Sequence, residues 1–123
     1  MVAYINDTFI EETKASLHIS DLAITRGYGV FDFFRTVNHR PVFLEDHLDR
    51  FFNSAFTLRL QLETTREDLK SIIQQLILKN NVPISGVRIL LTGGYSLDNY
   101  DCVTPNLVIT LQLLNPRSAA SIA

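Results

Sequence analysis

A chain of 123 residues, 46% hydrophobic and 20% charged, has room for one domain with a buried core and is too apolar to be disordered. A formal net charge of −2 with no run of basic residues gives no footprint for nucleic acid. One cysteine, Cys102, excludes an internal disulfide and reads as an ordinary thiol, and no apolar run approaches the roughly 18–20 residues of a membrane span. Met1 is followed by Val2-Ala3-Tyr4 and soon by Asn6-Asp7, which is no signal-peptide core, so a soluble cytoplasmic protein is expected.

Val2–Ile5 and Phe9-Ile10 flank the polar Asn6-Asp7-Thr8, the pattern of a β-hairpin. Glu11 to Lys14 is polar and expected to be exposed; Leu17, Ile19 and Leu22 then surround Ser20-Asp21, a helix or turn start. Gly27 and Gly29 bracket Tyr28, where the backbone needs positive φ or close approach by another group. Val30 to Val37, β-branched and aromatic, reads as a strand that turns at Asn38-His39-Arg40 and returns through Val42-Phe43.

The spacing predicts a helix over Glu45 to Leu58, with Leu44, Leu48, Phe51, Phe52, Ala55 and Phe56 as one buried stripe and Arg50 beside it. A second helix is expected after Thr64 as cap, with Glu67 completing a capping box. Leu69, Ile72, Ile73, Leu76 and Ile77 form its apolar stripe, and Asn80-Asn81 with Pro83 stop it. Val87 to Leu91 and Leu107 to Leu114 read as strands joined by the polar stretch Tyr95 to Thr104, a surface loop or a lid. Two hairpins, two helices and a strand pair make an α+β domain over 1–114, with two helices packed on one face of a mainly antiparallel sheet. Residues 115–123 are small and unpatterned, the start of a linker.

Six positions stand out chemically. His47 and Arg50 share a helical face at i, i+3, and Arg50 also lies four residues after Asp46, with which it could form a surface pair. Phe31, Phe33 and Arg35 alternate on one strand face; Phe33 reads as core, while Arg35, a charge in an apolar strand, needs a partner. Arg88 is a second such charge, at a site or on an exposed edge.

The run Gly27-Tyr28-Gly29-Val30-Phe31-Asp32, then Arg35, then Leu44, His47, Leu48 and Arg50, resembles the N-terminal signature of class IV (fold type IV) pyridoxal-phosphate enzymes. These include branched-chain and D-amino-acid aminotransferases and aminodeoxychorismate lyase. The resemblance covers essentially all of this chain and less than half of a usual member. It implies the small N-terminal domain of a homodimeric enzyme that moves an amino group between an amino acid and a 2-oxo acid, with pyridoxal 5′-phosphate as cofactor. It further implies that Arg50 binds the cofactor phosphate, and that Phe31 and Arg35 line the substrate pocket. His47, one turn before Arg50, either orders the arginine or the phosphate through a hydrogen bond or is a helix-packing histidine satisfied by backbone. Arg88 is similar to an arginine that receives the distal carboxylate of glutamate. Arg26 and Tyr28 depart from the family's Tyr-Gly-Asp-Gly, and Tyr28 is a candidate to present its hydroxyl to substrate instead. The lysine that forms the family's Schiff base belongs to the C-terminal domain, and Lys14, Lys70 and Lys79 match no such position. This chain alone is therefore expected to be inactive. A lyase-like domain and a non-catalytic dimerisation or binding module remain open.

Overall fold

The computed structural model describes residues 1–96, 98 and 104–114. The linker reading of 115–123, Cys102 and most of the loop beyond Ser96 lie outside the described residues. The chain runs β1 (Val2–Ile5), β2 (Thr8–Glu11), α1 (Leu22–Arg26), β3 (Gly29–Val37), β4 (Arg40–Pro41), α2 (Leu44–Thr57), α3 (Arg66–Asn80), β5 (Ser85–Thr92) and β6 (Leu107–Leu113). The strands form one six-stranded sheet in the order β2-β1-β6-β5-β3-β4, and every pairing is antiparallel. The expected α+β architecture is the observed one.

Local chemistry accounts for the elements. Asn6 and Asp7, at φ 42° and 73°, make the tight β1–β2 turn, and Asn38 and His39, at 52° and 62°, make the β3–β4 turn. β4 is only Arg40–Pro41, and the expected return strand reaches just to Val42, whose N–H donates to the Arg35 carbonyl at 2.8 Å. Phe43 instead turns left-handed, φ 56°, and starts α2. The cap of α3 also differs from expectation by one residue: Thr65, not Thr64, accepts the Asp68 backbone N–H at 3.1 Å. Asn81, at φ 51°, ends that helix.

The core lies between one sheet face and the two long helices. Val30, Phe34, Val87, Ile89, Leu91, Leu107, Ile109 and Leu111 point inward from the sheet and meet Leu48, Phe51, Ala55, Leu69, Ile73, Leu76 and Ile77. At about 25 cal/mol per Å² of apolar surface removed from water, this layer is the main stabilising term. The expected α2 stripe is only partly buried: Phe52 is half-buried and Phe56 is 83% exposed. The opposite sheet face is not covered by α2 or α3, and Phe31, Phe33, Arg35, Gly86 and Arg88 belong to it by their register.

A buried polar knot closes one end of the sheet. Asp21, fully buried, accepts from the Ala23 backbone N–H at 2.8 Å, from the Thr92 hydroxyl at 2.6 Å and from the Asn106 amide at 2.8 Å. Asn106 also accepts from the Asn6 amide at 2.8 Å, and Asn6 accepts the Leu107 N–H at 2.8 Å. The start of α1, the end of β5, the start of β6 and the β1–β2 turn are thus fastened together around one carboxylate.

Candidate functional site

Helix α2 packs along β3, so its i, i+3 pair faces that strand. His47 and Arg50 converge there on Asp32, whose side chain is 2% exposed. Arg50 donates from Nε to Asp32 Oδ2 at 2.8 Å and from Nη2 to Oδ1 at 2.8 Å. This is a side-on, two-point ion pair. The pairing with Asp46 that the spacing allowed is not the one formed.

Asp32 Oδ1 also receives the Phe33 backbone N–H at 2.9 Å and lies 2.7 Å from His47 Nδ1. Burial on its own pushes the Asp32 carboxyl upward; hydrogen bonds from Arg50 and then His47, with their charges, outweigh it and hold the group below the usual carboxylate range. Asp32 is therefore an acceptor, and Nδ1 of His47 must carry the proton. The 3.1 Å approach of Arg50 Nη2 to that same Nδ1 then brings two donors together and is no hydrogen bond. The Asp32 carboxylate in turn raises the pKa of Arg50 further. His47 also packs its ring against Phe34, centroids 5.6 Å apart.

The Arg50 side chain remains 65% exposed. Its Nε edge is used, whereas Nη1 makes no contact with Asp32. Two other acids on α2 are answered from α3: Arg66 lies 2.9 Å from Asp49 and 3.5 Å from Glu45, and Lys70 lies 3.3 Å from Glu45. Arg50 lines neither of two hollows in the surface, one beside the β1–β2 turn and one at the end of α2.

Phe31 and Arg35 lie on the open sheet face, both exposed. Arg88 joins them: its guanidinium carbon is 5.9 Å from the ring centroids of both Phe31 and Phe33. Contrary to the core position expected of it, Phe33 lies on this open face over Gly86. A Cβ added at Gly86 would come within 2.3 Å of the Phe33 ring. Among the described residues, neither arginine has a carboxylate partner. Arg35 thus lacks the neutralising partner that its sequence setting called for, because its parity turns it to solvent. Tyr28 sits elsewhere, its hydroxyl donating to the Leu58 carbonyl and its ring against Gly93.

The sequence positions therefore form two groups, Asp32–His47–Arg50 at the α2–β3 seam and Phe31–Phe33–Arg35–Arg88 on the open sheet. Asp32 is the member that sequence reasoning passed over, although it stood within the quoted motif.

The profile of the aminotransferase class IV family matches residues 29–123, which include both groups. The chain belongs to that family. Among its class IV relatives, the D-alanine aminotransferase of Staphylococcus haemolyticus is 28% identical over 104 residues, covering 85% of this chain and 37% of that protein. A putative branched-chain-amino-acid aminotransferase of Methanocaldococcus jannaschii is 27% identical over 110 residues, covering 87% and 38%. The fold is that of a hypothetical aminotransferase from Mycobacterium tuberculosis, solved in its PLP-bound form: TM-score 0.82 at 19% identity, over 98% of this chain and 42% of that one. This class IV chain thus spans less than half the length of the relatives it matches.

Proposed function

We propose that this class IV chain is the small domain of a pyridoxal-phosphate-dependent aminotransferase acting on an amino acid and a 2-oxo acid. The observation that carries the reading is Arg50, bound to a buried carboxylate along one edge and exposed along the other. An arginine so placed keeps its charge and offers paired N–H donors to a phosphate, and His47 Nε2 is the remaining ring nitrogen beside it. The donor set fits a phosphate ester. When bound, pyridoxal phosphate supplies an electron sink for bond breaking at the α-carbon of the amino acid.

This chain's own part is binding and orientation. Phe31 and Phe33 present apolar surface to a substrate side chain, and Arg88 and Arg35 present unneutralised cations to a carboxylate. Tyr28, its proton committed to Leu58, offers substrate only the lone pairs of its hydroxyl oxygen. The exposed aromatic residues Phe43 and Phe56 favour a homodimer, in which such surface is covered. Among the described residues no helix is long and apolar enough to cross a membrane; a cytoplasmic location is part of the same proposal.

The test is a calorimetric titration of the chain with pyridoxamine 5′-phosphate and, separately, with pyridoxamine. Binding that requires the phosphate and is lost in Arg50→Ala is expected. Equal binding of both compounds, or an unaffected Arg50→Ala protein, refutes the assignment.

A further inference from the structure

We propose that Asp32 is a positioning residue: it locks the Arg50 guanidinium side-on so that its Nη1–Nη2 end is the edge presented to an anion. This rests on the phosphate reading of Arg50 given above.

Asp32 is firmly held. Its side chain is 2% exposed, and its Oδ1 is fixed by the backbone N–H of its own neighbour, Phe33, at 2.9 Å and by His47 Nδ1 at 2.7 Å. Neither support depends on Arg50. The carboxylate is therefore a fixed bracket on β3, onto which the flexible arginine docks. Arg50 comes from the opposite element, α2, and its side chain is 65% exposed, so without the bracket it would sample many rotamers in solvent.

The geometry of the docking decides which donors remain. Nε and one proton of Nη2 are spent on Asp32. Both Nη1 protons and the second proton of Nη2 are left; one Nη1 proton and that Nη2 proton lie parallel along the end of the planar fork. Two parallel N–H bonds from that end match two oxygens of a tetrahedral anion. His47 Nδ1 donates to the same carboxylate, which fixes the ring plane and leaves Nε2 as its free nitrogen. Asp32 thus orients both cationic side chains at once.

This role opposes the simple electrostatic expectation. A carboxylate beside an anion site repels the anion, so removing its charge should tighten binding. If Asp32 acts by holding Arg50 in place, neutralising it should weaken binding, since the anion must then immobilise the arginine itself. The two effects differ in sign.

The experiment uses the whole chain with inorganic phosphate as the probe, followed by NMR of the arginine Nε–H groups. In wild type, phosphate is expected to shift a sharp, slowly exchanging Arg50 Nε–H signal. In Asp32→Asn that signal should broaden into solvent exchange, and phosphate affinity should fall about five- to tenfold, the cost of ordering one rotamer-rich side chain. Arg50→Lys, which keeps the charge but not the fork, should lose affinity similarly. The proposal is overturned if Asp32→Asn binds phosphate as tightly as wild type or tighter. Should Asp32→Asn fail to fold, undiminished affinity in Arg50→Lys overturns it just as well. If wild type binds no phosphate, the phosphate reading itself fails; the Arg50 Nε–H signal, sharp in wild type and lost in Asp32→Asn, then still decides whether Asp32 fixes the arginine.

Discussion

Replacing Asp21 by alanine should be among the most damaging single changes to the fold, although no cation among the described residues pairs with this carboxylate. Its Oδ1 caps α1 through the Ala23 N–H at 2.8 Å, a bond worth about 1 kcal/mol. Its Oδ2 takes the Thr92 hydroxyl proton at 2.6 Å and an Asn106 amide proton at 2.8 Å. Thr92 cannot redirect that proton easily. Its oxygen already accepts the backbone N–H of Gly94 at 3.1 Å and of Asn106 at 3.2 Å, and the residue is fully buried. Alanine at 21 therefore strands two buried donors, each costing about 1–3 kcal/mol. With the cap, the sum is about 3–7 kcal/mol before relaxation. Asn106 is 5% exposed, so water entering on its side relieves part of this and places the expected loss at about 3–5 kcal/mol.

Urea unfolding followed by circular dichroism measures it. With a slope of about 1–3 kcal/mol/M, the midpoint should fall by at least about 1 M. Asp21→Asn should cost less, because an amide can keep one oxygen toward Thr92 and Asn106 and lose only the cap. Thr92→Val breaks the same 2.6 Å bond, so the double variant Asp21→Ala/Thr92→Val should be less damaged than the sum of its parts. A loss below about 1 kcal/mol for Asp21→Ala, or additivity within about 0.5 kcal/mol, refutes the view of this carboxylate as the shared acceptor.

Asp32 makes stability depend on acid in a definite direction. Its folded pKa is depressed, so its contribution is complete above the unfolded value, about 4, and drains away as pH falls through the lower folded value. Urea midpoints of wild type should thus drop more steeply below about pH 4 than those of Asp32→Asn; parallel curves would remove Asp32 from the acid response. Phe56→Ser should leave stability within about 0.5 kcal/mol, while Phe51→Ala, from a residue 1% exposed, should cost about 3–5 kcal/mol, a contrast that thermal melts will read directly. Gly86→Ala should push the Phe33 ring off β5 and away from Arg88, since the new methyl would otherwise sit 2.3 Å from it; loss of Phe33–Arg88 NOEs with retained core NOEs is the expected result, and unchanged Phe33–Arg88 NOEs contradict it.

The parts of this molecule that could be read from its sequence are those decided within one turn of helix or one strand. The α3 stripe Leu69, Ile73, Leu76 and Ile77 was legible because all four residues share an arc that closes on the sheet. Phe56 was not, for an angular reason. It follows the buried Ala55 by one residue, about 100° around α2, and there the sheet no longer lies beneath it. The cap of α3 fell one residue late because Thr64 and Thr65 each precede an acid by three, and spacing alone does not choose between them.

The rule that a charge in an apolar strand needs a partner holds for Asp32 and not for Arg35. A charge in an apolar strand needs a partner only on the buried side. Asp32 and Arg35 are three positions apart, hence on opposite faces, and the inward parity of Val30 and Phe34 assigns Asp32 to the core. Once Asp32 is inward, its partner must come from a helix covering β3, and His47 with Arg50 is the i, i+3 pair of such donors on the helix that follows. The strand alternation therefore held the information for this contact, 18 residues apart in the chain. Arg35 and Arg88, on the outward parity, find no carboxylate among the described residues because neither long helix lies over that face to bring one.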